Sequence, residues 1–139
     1  MTGAATGGTC GGVTTFLKEK KPDIKTYLVD PQGSGMFTYV RTGGFVKPPP
    51  GNPTSITAGQ VGIHCLTNNF AKSQLDGAIR VNDQEVIEMI YYLNKYDGIQ
   101  IGPSSAMNCC GAVKLARKLG PGHSIATILF DAGERYKCC

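Results

Sequence analysis

The sequence has 139 residues, of which 41% are hydrophobic and 17% charged, and its formal net charge is +4 at pH 7. This length and composition suit one globular domain. The basic residues are scattered without interleaved aromatic side chains, and no apolar run approaches about 20 residues, so the sequence argues against nucleic-acid binding and against a membrane span in this segment.

The cysteine pattern argues against zinc binding and against a disulfide framework. The six cysteines include two adjacent pairs and no Cys-x-x-Cys spacing. They are Cys10, Cys65, Cys109, Cys110, Cys138 and Cys139. Because no signal peptide is visible either, we expect reduced thiols, no metal, and an intracellular location in the cytoplasm or mitochondria.

The first feature along the chain is the glycine-rich stretch ATGGTCGG, residues 5–12. Val13, Phe16 and Leu17 follow at helical spacing and predict a helix with these residues on its apolar face, ending before Pro22. Bare backbone before a helix N-terminus can present free N–H groups to a phosphate. On the glycines alone, a flexible leader or a simple turn fits equally well.

A strand is predicted over residues 24–30, a short helix over 37–41, and a proline-rich loop over 45–60. The next clear element is a helix over residues 82–98, with Asn82 and Glu85 placed as a capping box. Its buried stripe consists of Val86, Met89, Ile90 and Leu93.

The last part predicts a short strand over 99–102, a helix from about Ser105 to Gly120, and a buried strand over 124–131. This alternation indicates an α/β fold with a mostly parallel sheet flanked by helices. A glycine loop of this kind should follow a strand, and only Met1–Ala4 precede it. We therefore expect residues 1–139 to form a single partial domain.

Three stretches could supply a site, because ligands of open α/β sheets bind at the carboxyl ends of strands. They are the glycine loop with Thr6 and Thr9, the stretch GPSSAMN at 102–108, and DAGERY at 131–136. Taken singly, the serines of the second stretch could be simple helix caps, and Asp131 could merely close a turn.

Together these stretches resemble the C-terminal half of the pyridoxal-phosphate enzymes of the cysteine synthase (O-acetylserine sulfhydrylase) family, which have fold type II (tryptophan synthase beta-like). ATGGT resembles that family's Gly-Thr-Gly-Gly-Thr phosphate loop, and GPSSA resembles its Gly-Ile-Ser-Ser-Gly segment. LGPGHSIATILFDAGERY resembles its closing strand and Asp-Ser-Gly-Glu-Arg-Tyr end, so the resemblance covers essentially the whole chain.

The resemblance implies pyridoxal 5'-phosphate as cofactor. It places Ser104 against the pyridine nitrogen and, weakly, Gly62 in the substrate pocket. The phosphate would be held by Ala5, Thr6, Gly7, Gly8 and Thr9. A neutral hydroxyl at the ring nitrogen suits β-elimination and β-replacement. The implied reaction of the parent enzyme is cysteine synthesis from O-acetylserine, a small amino acid, and sulfide.

The sequence departs from the family pattern at three sites and lacks one essential group. Ala5, Ala106 and Ala132 replace two glycines and a serine of the family motifs. No lysine lies in the family's Ser-x-Lys context, and Lys114, the nearest in sequence to the presumed cofactor, lies within a helix. We expect no catalytic residue in this chain, which alone would be inactive and would need the family's N-terminal half or a homodimer partner.

Other functions stay open. The chain could be a non-catalytic remnant or pseudo-subunit that binds the cofactor or the full-length enzyme. The parent could instead be cystathionine β-synthase-like, a β-cyanoalanine-forming enzyme or a cysteine desulfhydrase. An unrelated dinucleotide module fits poorly, because no complete strand precedes the glycines and only Asp30 is suitably acidic after the next strand.

Overall fold

A three-stranded parallel sheet organises the described part of the chain, residues 1–47 and 65–136 of the computed structural model. Its strands are β1 (Thr2–Gly3), β2 (Tyr27–Pro31) and β3 (Gly77–Val81), in the order β1-β2-β3. Leu28 lies opposite both Thr2 and Ala78, which sets the register. The α/β fold with a parallel sheet is confirmed.

Helices cover both faces of this sheet. They are α1 (Gly8–Lys20), α2 (Met36–Thr42), α3 (Asn68–Ala71), α4 (Asp83–Tyr92) and α5 (Pro103–Leu119). The end of α4 widens into a π-helical turn, Leu93–Asp97, which stops at Gly98 with φ at +67°. A 3-10 turn, Gly133–Tyr136, comes last among the described elements.

The core has two layers because successive side chains of β2 point to opposite faces. Leu28 and Val29 are both fully buried. The Leu28 side packs with Ala4, Cys10, Met36 and Phe70. The Val29 side packs with Val81, Val86, Ile101, Ala106, Met107 and Cys110. Helix α5 approaches β2 closely on that side, since a Cβ at Gly111 would lie 2.5 Å from Val29 Cγ2.

The predicted helix after the glycines is confirmed, but two of its three residues with apolar spacing are exposed and the third, Leu17, is only half-buried. Val13 is 38% exposed and Phe16 is 56% exposed. The buried residues are instead Cys10, Gly11 and Thr14. A Cβ at Gly11 would lie 2.6 Å from a backbone carbonyl oxygen of α3, so α1 packs through its small residues at close range. Close backbone packing outweighs apolar spacing on this helix.

The capping box at the start of α4 is confirmed. Asn82 Oδ1 accepts from the Glu85 amide at 2.9 Å, and Glu85 Oε2 accepts from the Asn82 amide at 2.9 Å. The same carboxylate pairs with Lys114 Nζ at 2.7 Å, which ties α4 to α5. Val86 is buried, and the other residues of the predicted stripe pack against the core; these are Met89, Ile90 and Leu93.

The two strands predicted in the C-terminal part are wrong. Residues 99–102 contribute one isolated antiparallel bridge, between Ile101 and Ala132, and residues 124–131 form no ladder. That segment runs beside β1 through the buried side chain of Asn108. Its Oδ1 accepts from the Gly3 amide at 2.7 Å, and its Nδ2 donates to the Ile128 carbonyl at 2.8 Å. The Met1 amine also donates to the Ala126 carbonyl at 2.9 Å, and the Met1 carbonyl accepts from the Thr127 hydroxyl at 3.0 Å, so the segment lies beside β1 without forming a regular ladder.

Strand β3 was not predicted, because its sequence GAIRV combines two weak strand formers with a charged residue. It pairs with β2 along its whole length, from Tyr27 opposite Gly77 to Pro31 opposite Val81. A glycine loop of this kind is expected to follow a strand. Strand β1 fills that place, although only four residues precede the loop.

Three sequence-based interpretations fall partly or wholly outside the described residues. Most of the proline-rich loop over 45–60 lies there, as does Gly62. The thiols of Cys138 and Cys139 also lie there. The assignment of Gly62 to a substrate pocket therefore stays a prediction.

The carboxylate of Asp30 is buried at the carboxyl end of β2, where α2 begins. The side chain has no exposed surface, and its Oδ2 accepts from the Phe37 amide at 2.7 Å. Burial raises the pKa of Asp30 to about 6, and the Phe37 amide offsets this only in part. The folded chain therefore binds the proton more tightly than the unfolded chain, in which the pKa has its ordinary value of 3.8.

Asp30 should make the chain less stable as pH rises from about 4 to about 6, by at most about 1.4 kcal/mol per pH unit. Asp30→Asn keeps an acceptor for the Phe37 amide and removes the charge, so this loss should disappear. Urea unfolding across that pH range checks the prediction. Asp23→Asn, at an exposed aspartate, is the matched control. The prediction fails if both variants follow the wild-type pH dependence.

Candidate functional site

The glycine loop makes one sharp turn between β1 and α1. Gly7 has φ at +81° and caps the helix, and its carbonyl accepts from the Gly11 amide at 2.7 Å. A Cβ at Gly7 would lie 2.5 Å from the Phe70 backbone nitrogen. Both the positive φ and this close approach require glycine.

One threonine holds the loop against α3. Thr67 Oγ1 donates to the Thr6 carbonyl at 2.7 Å and accepts from the Phe70 amide at 3.2 Å. The same hydroxyl therefore caps α3 and anchors the loop. Nothing in the sequence pattern pointed to Thr67, because its two partners lie in segments far apart along the chain.

The start of α1 is open to an anion. No side chain caps the helix, and its first turn contains no acidic residue. The first amides of a helix have no intrahelical partner and carry partial positive charge. Thr6, Gly8 and Thr9 are exposed, and two of them carry hydroxyl groups that can donate further hydrogen bonds.

The two serines at the start of α5 differ in their contacts. Ser105 is fully buried, accepting from the Phe130 amide at 2.8 Å and donating to the Asp131 carbonyl at 3.3 Å. Ser104 is 6% exposed and lines the cleft described below. Its hydroxyl has no partner within residues 1–47 and 65–136. Ser105 therefore anchors the neighbouring segment, and Ser104 is free to meet a ligand.

The third candidate stretch packs onto the start of α5. The Gly102 amide donates to the Asp131 carbonyl at 2.9 Å, and Tyr136 donates its hydroxyl to Asp131 Oδ2 at 2.9 Å. A Cβ at Gly102 would lie 2.6 Å from the Tyr136 ring. The stretch 131–136 therefore packs directly against the start of α5, and the absence of a side chain at Gly102 makes room for the Tyr136 ring.

These three stretches enclose one cleft of about 450 Å³. All six residues predicted to bind a cofactor among the described residues line it: Ala5, Thr6, Gly7, Gly8, Thr9 and Ser104. The other lining residues are Gly3, Ala4, Cys10, Phe130, Asp131 and Tyr136. Of these, Asp131 and Tyr136 belong to the DAGERY stretch. The sequence did not predict Cys10 as a cleft residue, because the cysteine pattern bears only on metal and disulfide binding.

The cleft is lined mostly by small uncharged residues and has few ionisable groups. Asp131 is the only carboxylate among the described lining residues, and no lysine lines it. Burial raises the pKa of the Cys10 thiol, which stays neutral near pH 7. Lys114 lies elsewhere, donating to the Arg80 carbonyl at 2.8 Å and pairing with Glu85.

Two site classes find no support in the part of the chain that the structure describes. It has no group of three or more His, Cys, Asp or Glu side chains placed to hold a metal ion. Its helices are also too short or too polar to cross a bilayer.

The sequence matches a family model described as "Pyridoxal-phosphate dependent enzyme" over residues 1–131. It is 48% identical to a cysteine synthase of Dictyostelium discoideum, with 96% of this chain and 36% of that protein covered. It is 42% identical to cysteine synthase 2 of Schizosaccharomyces pombe, with 98% and 36% covered. The chain thus spans about a third of the length of these relatives.

Solved structures show the same fold. An O-acetylserine dependent cystathionine beta-synthase from Helicobacter pylori matches with a TM-score of 0.78 and 29% identity, covering 98% of this chain and 40% of that one. A hydrogen sulfide-producing enzyme from Fusobacterium nucleatum matches with a TM-score of 0.80 and 27% identity, covering 98% and 43%. Both are similar to this chain over less than half of their own length.

Substitution of Gly7 tests whether the loop needs its left-handed turn. Gly7→Ala should destabilise the chain by at least about 1–2 kcal/mol from the conformation alone, and the Phe70 backbone adds a clash. Gly12→Ala is the matched control, because nothing lies within 4 Å of a Cβ there, and it should stabilise α1 by about 0.5–1 kcal/mol. Chemical denaturation of both variants decides. Equal stabilities would contradict this account of the loop.

Proposed function

The chain belongs to the pyridoxal-phosphate dependent enzyme family, and on that premise we propose that its cleft holds the phosphate and ring of pyridoxal 5'-phosphate. Ala5, Thr6, Gly7, Gly8 and Thr9 would bind the phosphate. The observation that carries this proposal is that all five line one cleft with Ser104. The loop residues and the serine are about 100 positions apart, so only the fold brings them together.

The residues present suit such a cofactor. The uncapped start of α1, without an acidic residue in its first turn, favours a dianion. The cleft volume of about 450 Å³ lies within the range usual for small-ligand sites. The neutral Cys10 thiol in its lining adds no negative charge. These features are independent of the family match.

At the other end of the cleft, Ser104 would meet the pyridine nitrogen. When bound, the cofactor supplies an electron sink for bonds at the α-carbon of an amino acid. Ser104 can donate or accept one hydrogen bond there without adding charge. It therefore orients the ring without holding a proton on its nitrogen as a carboxylate would.

For the whole protein we propose β-replacement or β-elimination on a small amino acid, most directly cysteine synthesis from O-acetylserine and sulfide. The similarity to two cysteine synthases favours this last reaction. The structural neighbours favour two alternatives, a cystathionine β-synthase-like reaction and a sulfide-releasing reaction. All three reactions would use the cleft in the same way. A location in the cytoplasm or mitochondria stays a prediction.

The catalytic lysine would come from outside the described residues of this chain. None of the described lining residues is a lysine, and the Lys114 ammonium is engaged with Glu85 and the Arg80 carbonyl. The chain alone would then bind the cofactor without turnover. The same behaviour is expected of the alternative function, a remnant or pseudo-subunit that associates with a full-length enzyme.

A second cleft supports association with further polypeptide, either the N-terminal half of such an enzyme or a homodimer partner. It has a volume of about 430 Å³ and lies between α1, the outer side of β1 and the end of α5. Its lining includes Val13, Leu17, Leu115 and Leu119. Val13, exposed despite its apolar spacing, would be covered by such a partner.

Removing one hydroxyl from the loop tests the phosphate site. Thr9→Val should weaken binding of 4-deoxypyridoxine 5'-phosphate, which lacks the reactive aldehyde, by about tenfold, because a hydrogen bond to a charged group is lost. Thr15→Val, on the same helix but outside the cleft lining, should leave affinity unchanged. Titration calorimetry measures both. Equal affinities would place the phosphate elsewhere.

Borohydride reduction tests the lysine assignment. Pyridoxal 5'-phosphate mixed with the purified chain, then reduced and mapped by peptide mass, should give low labelling spread over many lysines. Chain unfolded in urea before mixing is the control for random reactivity. Stoichiometric labelling of one lysine in the folded chain alone would show that the chain carries its own catalytic lysine.

A further inference from the structure

A carboxylate lies in the cleft proposed to receive an anionic cofactor. The ionisable side chains among the described lining residues are Asp131, Tyr136 and Cys10. Asp131 lies at the end of the cleft formed by the start of α5, which also carries Ser104. A negative charge beside the proposed ring site affects the ring itself, so its position matters for the chemistry.

Asp131 is fixed at both its main chain and its side chain. Its carbonyl accepts from the Gly102 amide at 2.9 Å and from the Ser105 hydroxyl at 3.3 Å. Its Oδ2 accepts from the Tyr136 hydroxyl at 2.9 Å. The backbone bonds place the residue, and the tyrosine determines where the carboxylate points.

Tyr136 is itself held in place. Its ring fills the space over Gly102, where a Cβ would lie 2.6 Å away. The turn that carries it is tied down by the Gly133 amide, which donates to the Gln100 carbonyl at 3.1 Å, and by the bridge between Ile101 and Ala132. The hydroxyl is therefore presented to Asp131 by a packed turn and not by a free side chain.

The charge state of a pyridine nitrogen depends on what faces it. An ionised carboxylate within about 4–6 Å stabilises the protonated ring and raises its proton affinity. A protonated ring withdraws electrons more strongly and supports a wider range of reactions than a neutral one. A cleft with both Ser104 and Asp131 therefore needs some means of selecting between a hydroxyl and a carboxylate partner.

We propose that Tyr136 is a positioning residue that engages Asp131 by hydrogen bonding, so that the ring nitrogen of the bound cofactor meets the neutral Ser104 hydroxyl and not the Asp131 carboxylate. This inference rests on the proposed cofactor site. Reaction specificity would then depend on Tyr136 and Asp131, which lie outside the phosphate loop. If Asp131 were no longer held by the Tyr136 hydroxyl, its carboxylate would change the proton affinity of the ring.

The test uses the 139-residue chain with 4-deoxypyridoxine 5'-phosphate, whose absorption reports protonation of the ring. Tyr136→Phe removes the hydroxyl and keeps the ring over Gly102. It should raise the proton affinity of the bound ligand about tenfold, measured by a pH titration of its absorption. Adding Asp131→Asn to that variant should restore the wild-type titration. Tyr92→Phe, at an exposed tyrosine of α4, should change nothing.

The single variant Asp131→Asn gives a second test that keeps an acceptor for Tyr136. This variant should lower the proton affinity of the ligand by less than Tyr136→Phe raises it, because Tyr136 holds the carboxylate away from the ring nitrogen while its charge remains. A fall in Asp131→Asn as large as the rise expected for Tyr136→Phe, or an unchanged proton affinity in a Tyr136→Phe chain that still binds the ligand, would overturn the inference alone. Failure of the wild-type chain to bind would instead reject the cofactor site, and this inference with it.

Discussion

The left-handed turn at Gly7 is the constraint on which the site depends. It lets the chain leave β1 and enter α1 without a side-chain cap, and it lets the loop touch the Phe70 backbone, where a Cβ would be 2.5 Å away. Any side chain at this position would lift the loop away from α3. The helix start would then lose the orientation that exposes its amides to the cleft.

Buried polar side chains bring the second half of the cleft to the first. Asn108 joins β1 to the segment ending at Asp131, and Ser105 holds the end of that segment to α5. Both side chains are fully buried, so leaving their partners unsatisfied would cost about 1–3 kcal/mol for each group. Short polar side chains of α5 thus hold the two halves of the cleft together, whereas the apolar core sets the spacing of the layers.

The sequence predicted the local features well and the non-local ones poorly. The capping box of α4 follows from two residues three positions apart, and the glycine loop follows from adjacent residues. Strand β3 exists because β2 lies beside it, which its own residues do not indicate. The segment 124–131 has the composition of a strand, but Asn108 takes the bonds that a ladder would use. Phe16 has the spacing of a core residue, but Gly11 determines which side of α1 packs.

The most direct test of the central claim is a backbone amide NMR titration of the chain with 4-deoxypyridoxine 5'-phosphate and, separately, with its dephosphorylated form. We expect the amide resonances of Gly7, Gly8 and Thr9 to shift on adding the phosphate ester and to stay unchanged with the dephosphorylated compound. The same shifts with both compounds, or shifts confined to other parts of the chain, would contradict a phosphate site at the start of α1.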